Sequence, residues 1–236
     1  MKIIWFGHSA YRLEFGSSVV LIDPFLTGNS TFTGTVEQAS KGATHVVLTH
    51  GHADHVGDTV AITKATGAKL VTNVELCQYL GRKGVAATDP MNTGGTTDQG
   101  EFSVTLTIAF HSSAEMDANG VLHNLGLPNG VVISPKSASE PVVYHMGDTD
   151  VFSDMAIIGE LYRPKVAMVP MGDRFTMGAR GAALAMRRFL PDVPVVLPCH
   201  YGTFPPLAQS PDDFLREMGD QAGRVRVAAV GESFEV

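Results

Sequence analysis

The chain has 236 residues, 44% of them hydrophobic and 17% charged, which supplies a packed core and excludes a disordered chain. The net charge is −7 and no run of Lys or Arg occurs. That removes the electrostatic footprint of a nucleic-acid binder and the basic amphipathic stretch of a membrane-surface protein.

Residues 3–6 read as a short apolar strand ending at Gly7. Residues 11–15 alternate apolar and polar side chains, as a half-buried strand does. Gly16-Ser17-Ser18 turns the chain into a third strand, 19–22, closed by Asp23-Pro24. Residues 26–44, rich in Thr, Gly and Ser, are predicted as a long surface loop of the kind that lines active sites. A strand over 45–49 runs straight into His50-Gly51-His52-Ala53-Asp54-His55. A helix is expected over 56–66, a strand over 69–72 and a helix over 74–82. Residues 102–108 alternate for a full strand and deliver His111, and 112–130 are a second polar loop. Strands follow at 130–134 and 141–145, the latter leading to Gly147-Asp148-Thr149. Then come helix 152–161, strand 165–169, helix 179–190, strand 194–198, helix 211–219 and strand 225–229.

Both halves begin with paired strands and continue with strand–helix alternation. This predicts an α/β fold of two similar halves packed sheet to sheet with helices outside, a four-layer αββα sandwich. No linker divides them, so 1–236 is expected to be a single domain. Cys77 and Cys199 do not make a disulfide framework. The start has too short an apolar run for a signal peptide, and no segment is long enough to span a bilayer. A cytoplasmic protein is expected, acting on a small molecule, with no nucleic-acid or membrane partner and with homo-oligomerisation left open.

The chemistry is concentrated in His50, His52, Asp54 and His55. Imidazole nitrogens and carboxylate oxygens are the ligands that a borderline divalent ion prefers. Residues two apart in an extended segment point the same way, so His50 and His52 can grip one ion. After the chain turns, Asp54 and His55 can face a second. A chance match to His-x-His-x-Asp-His in a chain with 9 His is on the order of one in a thousand. His111, Asp148 and His200 each follow an apolar strand and complete a set of seven, enough for two ions sharing a carboxylate.

Other residues carry weaker expectations. Asp23 either accepts a hydrogen bond from a ligating His or caps its turn. His8 either faces the site or is a hydrogen-bonded turn residue. His145 and His45 are read as structural, His123 as a loop residue with at most a substrate contact, and Cys199 as buried core. Thr176 is read as a helix N-cap in preference to part of an anion site. Tyr201 and Thr203, beside His200, are candidates for orienting a substrate.

The motif, the later His, Asp and His, and the strand pattern resemble the metallo-β-lactamase superfamily over the whole chain. Gly7-His8-Ser9-Ala10, Leu21-Ile22-Asp23-Pro24-Phe25, Ala109-Phe110-His111-Ser112-Ser113, Phe175-Thr176-Met177-Gly178 and His200-Tyr201-Gly202-Thr203-Phe204 are closer still to a cytoplasmic group of metal-dependent hydrolases related to ascorbate-6-phosphate lactonase. The resemblance implies that His50, His52 and His111 hold one ion, that Asp54, His55 and His200 hold the other, and that Asp148 bridges them. Arg174 departs from the group, where a neutral polar residue is expected.

The implied chemistry is hydrolysis by a hydroxide shared between two divalent ions, with Asp54 and Asp148 as the catalytic carboxylates. Zinc is expected first, with manganese, nickel or iron as alternatives. The two carboxylates and the hydroxide leave the centre near about +1, which favours an anionic or polarised ester: a lactone, phosphoester or thioester. The rivals are di-iron redox chemistry, a nuclease of the same fold, a metabolite-binding pseudoenzyme and an antibiotic-hydrolysing lactamase. The di-iron relatives carry a carboxylate where His52 stands and bring a flavin domain. The nucleases add an RNA-gripping arm or a large insertion. Pseudoenzymes lose ligands, and a lactamase needs an export signal. None of these features is present.

Overall fold

A computed structural model describes all residues, Met1–Val236. The first half opens as the expected antiparallel meander of β1 (Lys2–Trp5), β2 (Tyr11–Phe15) and β3 (Ser18–Ile22). Helix α1 (Val36–Ser40) leads to β4 (His45–Val47), α2 (Ala53–Val56) and α3 (Thr59–Thr66). Then follow β5 (Lys69–Asn73), α4 (Val74–Arg82) and β6 (Thr88–Met91). Strands β3 to β6 pair in parallel in chain order.

The second half repeats the plan. Its strands are β7 (Thr96–Asp98) and β8 (Phe102–Ile108), then, after the hairpin β9 (Ala114–Met116) and β10 (Leu122–Asn124), β11 (Asn129–Pro135) and β12 (Val143–His145). Helix α5 (Met155–Tyr162), β13 (Val166–Pro170), α6 (Ala179–Leu184), β14 (Val195–Cys199) and α7 (Asp212–Met218) complete it. The six-stranded sheet runs β14-β13-β12-β11-β8-β7. A last strand, β15 (Ser233–Glu235), returns to the first sheet beside β1 and makes it seven-stranded.

Strand alternation sorts side chains into the layers. Val20, Ile22, Val47 and Val71 point inward and join the core shared with the second sheet. Their neighbours Leu21, Val46 and Leu70 point outward, under Ile62 of α3 and Leu76 and Leu80 of α4. Met155, Ala182, Met186 and Phe214 cover the other side of the second sheet. The αββα order is thus written in the burial of adjacent strand residues. No helix is long and apolar enough to cross a membrane.

Several elements differ from expectation. The predicted helix over 56–66 is two helices, broken at Gly57, whose φ is +42° and whose Cβ would lie 2.5 Å from the Pro24 carbonyl. The break frees Asp58 to accept hydrogen bonds from Leu26 and Thr27 and pin the loop that follows β3. The loops predicted at 26–44 and 112–130 contain α1 and the β9–β10 hairpin. The expected 152–161 helix starts at Met155, and the 141–145 strand starts at Val143. The expected 179–190 helix changes at Ala185–Phe189 into a π-helical turn. The predicted 225–229 strand does not form; a single bridge joins Val225 to Val196. Arg224 instead donates to the carbonyls of Met186, Leu190, Pro191 and Val193, ending the π turn and holding this segment outside the sheet.

Candidate metal centre

Each candidate donor follows the end of a strand, with Asp54 and His55 lying in the short helix α2. Chain after β4 supplies His50, His52, Asp54 and His55; after β8, His111; after β12, Asp148; and after β14, His200. These ends lie together, so seven residues distant in sequence converge. Three overlapping groups have their donor atoms mutually within 4.8 Å: His50, His52 and His111; His50, His55 and Asp148; and His8, Asp54, His55 and His200.

The spacing inside the groups is that of ligands around an ion. Two donors about 2.0–2.1 Å from a tetrahedral zinc stand about 3.3 Å apart. His52 Nδ1 is 3.0 Å from His50 Nε2 and 3.3 Å from His111 Nε2. Asp148 Oδ2 is 3.3 Å from His55 Nε2, 2.9 Å from His200 Nε2 and 3.6 Å from His111 Nε2, so it adjoins both sets. Although these contacts are short, His55 Nε2, His200 Nε2 and Asp148 Oδ1 are buried without a hydrogen-bond partner. Buried polar atoms are nearly always satisfied. Five histidines and a carboxylate aimed past one another in this way fit a divalent cation.

The network behind them fixes which nitrogen faces the centre. Asp23, fully buried, can only accept when ionised. Its Oδ1 accepts the Thr49 N–H at 2.8 Å, and its Oδ2 accepts the Thr49 hydroxyl at 2.6 Å and His55 Nδ1–H at 2.7 Å. With its own proton given to Asp23, the Thr49 oxygen accepts His50 Nδ1–H at 2.9 Å. Both His50 and His55 therefore spend Nδ1–H on this network and turn Nε2 to the centre. Of the two readings of Asp23, the hydrogen bond to a site histidine is the one formed. Thr49 was not foreseen; a hydroxyl just before the motif was the available signal.

Charge follows the same geometry. Burial, aided by His55, holds the His50 pKa well below 6.5, so its ring is neutral. Burial opposes charge on His55 too, but Asp148 and Asp23 outweigh it and hold its pKa well above 6.5. Burial would raise Asp148, yet the His200 and His55 rings hold it well below the usual carboxylate range.

The remaining expectations divide. His8 is fully buried and faces the site, where it contacts Asp54. Thr176 is not an N-cap: Gly178 caps α6, and the Thr176 hydroxyl donates to the Met177 carbonyl. Tyr201 is buried in the core against Trp5, with ring centroids 5.3 Å apart. Thr203 bonds to His8. His145 is buried beside Ser9, His45 packs edge-on against Phe102, and His123 pairs with Asp117 on β10. Cys199 is buried core.

Residues 19–201 match the model of the beta-lactamase superfamily domain. A UPF0173 metal-dependent hydrolase of Methylobacterium nodulans is 56% identical over 239 residues, covering 100% of both chains. The chain belongs to the UPF0173 metal-dependent hydrolases of the beta-lactamase superfamily. Among solved structures, Igni18, a metallo hydrolase from the archaeon Ignicoccus hospitalis, matches this hydrolase with a TM-score of 0.86 and 36% identity, covering 100% of this chain and 98% of that one. The metallo-beta-lactamase fold protein YhfI of Bacillus subtilis matches with a TM-score of 0.72 over 99% of each chain; at 17% identity it speaks to the fold alone. The sandwich is a metallo-beta-lactamase fold, and the chain is a metal-dependent hydrolase.

Proposed function

We propose that this hydrolase cleaves an ester-type bond, in a lactone, phosphoester or thioester, of a small anionic metabolite at a centre of two divalent ions, zinc first among them. His50, His52 and His111 would hold one ion; Asp54, His55 and His200 the other; and Asp148 both. The observation that carries this reading is the set of unpaired, buried donor atoms converging on Asp148 Oδ2. When bound, such ions lower the pKa of water toward about 7 and polarise the oxygen of the scissile bond.

The chain's own residues do the rest. Asp54 and Asp148 offset part of the cationic charge. Asp23 and Thr49 keep His50 and His55 in the tautomer that presents a lone pair. Arg174 supports an anionic substrate: it is the only Lys or Arg among the loops that carry the site residues. It is exposed and in no ion pair, its guanidinium 5.7 Å from the Phe175 ring centroid. The loop bearing it is tied to the site through Met177 N–H donating to the Thr149 carbonyl. Phe110, 56% exposed, packs on Phe152 and donates its N–H to the Thr149 hydroxyl, offering an apolar wall beside Asp148.

The test is a panel of lactones, phosphoesters and thioesters, run on protein of measured metal content beside His50→Ala. Turnover that falls in parallel with metal content in the variant supports the reading. A protein with two ions per chain that is inert across the panel, or full activity in His50→Ala, refutes it.

A further inference from the structure

His8 is fully buried, yet it lies beyond the motif that draws attention to the centre, and its donor atom belongs to the same group as those of Asp54, His55 and His200. Its hydrogen bonds distinguish it from them. His8 Nε2 is 3.1 Å from Asp54 Oδ2, and His8 Nδ1 is 2.6 Å from Thr203 Oγ1. An ionised carboxylate only accepts, so the ring proton sits on Nε2; Nδ1 is then the acceptor and the Thr203 hydroxyl donates to it. Both nitrogens of His8 are engaged, whereas Nε2 of His55 and of His200 has no partner. His8 therefore has no lone pair to give an ion. Asp54 is left with Oδ1, which no protein group engages.

The backbone holds this ring firmly. His8 has φ +52°, a conformation a side-chain-bearing residue rarely adopts, and its carbonyl accepts from both Trp5 Nε1 and the His200 N–H at 3.0 Å. The ring lies 4.1 Å from that of His200 and edge-on to Phe25 and Phe204. The end of β1 is thus locked to the end of β14, and the imidazole between them reaches across to the motif after β4.

We propose that His8 is a positioning residue for Asp54: it anchors Oδ2 so that Oδ1 is aimed at the ion shared with His55 and His200, and Thr203 holds His8 in the tautomer that does so. This rests on the two-ion reading above. Groups that orient a metal-binding side chain typically matter by about 10–100-fold in metal affinity.

The experiment is a zinc titration against a competing chelator, with stoichiometry after dialysis, on wild type, His8→Ala, His8→Gln and Thr203→Val, each checked for its thermal transition. In His8→Ala one of the two zincs loses about 10–100-fold in affinity while the other stays within about twofold. His8→Gln, whose amide can donate to Asp54 Oδ2, recovers most of the loss. Thr203→Val lies between Gln and Ala. Wild-type affinity for both ions in a folded His8→Ala overturns the proposal, and so does a Gln variant no better than Ala, because a merely structural role would not depend on a donor at that position. A wild type that takes up fewer than two ions removes the two-ion reading itself, and is seen before any variant is compared.

Discussion

Asp23→Asn is the sharpest perturbation of the network behind the centre, because it is nearly isosteric and removes only acceptor capacity and charge. Asp23 accepts three hydrogen bonds with no exposure to solvent. An amide can be placed in two ways. With its oxygen toward the Thr49 hydroxyl and His55, its NH2 opposes the Thr49 N–H, and a buried donor is orphaned. With its NH2 toward His55, the imidazole must become the Nε2–H tautomer to accept, and the lone pair that faces the centre is lost. Hydrogen bonds to a charged group contribute about 1.5–3 kcal/mol each, and an orphaned buried donor costs about 1–3 kcal/mol. The first arrangement therefore destabilises the fold by about 3–5 kcal/mol. The second sacrifices zinc affinity, by about 10–100-fold or about 1.4–2.7 kcal/mol. Denaturant unfolding of the metal-free protein reads the first and chelator competition the second. A variant with the wild-type unfolding midpoint and wild-type zinc affinity would show that Asp23 neither supports the fold nor orients His55.

Four further outcomes follow from the same geometry. Because Asp148 and Asp23 hold the pKa of His55 well above 6.5, the metal-free protein carries a proton there at neutral pH that an ion must displace. Zinc uptake at neutral pH should release about one proton, measured by calorimetry in buffers of different ionisation enthalpy; no release contradicts the assignment. The same raised pKa stabilises the metal-free fold fully below pH 6.5, and that contribution fades as pH rises through the raised value. Arg174→Asn should raise KM for an anionic ester about tenfold, leave kcat and zinc content unchanged and spare a neutral analogue; equal KM values for the anion would exclude its role. Gly172→Ala would place a Cβ 1.8 Å from the His200 carbonyl oxygen, so a loss of about 2–4 kcal/mol and of zinc affinity is expected, and a wild-type midpoint would mean the loop yields freely.

The sequence carried the centre far better than its surroundings. His50, His52, Asp54 and His55 are legible because strand and turn periodicity act over a few residues, and His111, Asp148 and His200 because each follows an apolar strand. The roles of His8, Thr49 and Thr203 are not legible, since each depends on a partner brought close only by folding: Thr203 is 195 residues from His8. Helix α1 left a signal that its polar surroundings hid. Thr35 and Gln38 form a capping box, with Gln38 N–H donating to the Thr35 hydroxyl and Thr35 N–H to the Gln38 side chain. The β9–β10 turn did so too, with Asp117 accepting from Asn119 and Val121. The failed strand at 225–229 has suitable alternation, but Arg224 draws its chain to the carbonyls that end the π turn.

The backbone helps bring His200, and the residues behind the donors, to the centre. Six residues other than glycine have positive φ, and five of them, His8, Asp23, Asp173, Arg174 and His200, lie in loops at this end of the sandwich; the sixth, Arg163, ends α5. Such conformations cost on the order of 1–3 kcal/mol each and persist only where surrounding structure over-determines them. At His8 two donors fix the carbonyl, at Asp23 three fix the carboxylate, and His200 is tied to His8 through its own N–H. A strand that simply continued would carry these side chains past the edge of the sheet; the left-handed turn throws them back across it. The strain is met by hydrogen bonds within the protein. Replacing any of these hydrogen-bonding partners should therefore displace a donor and release the turn that carries it.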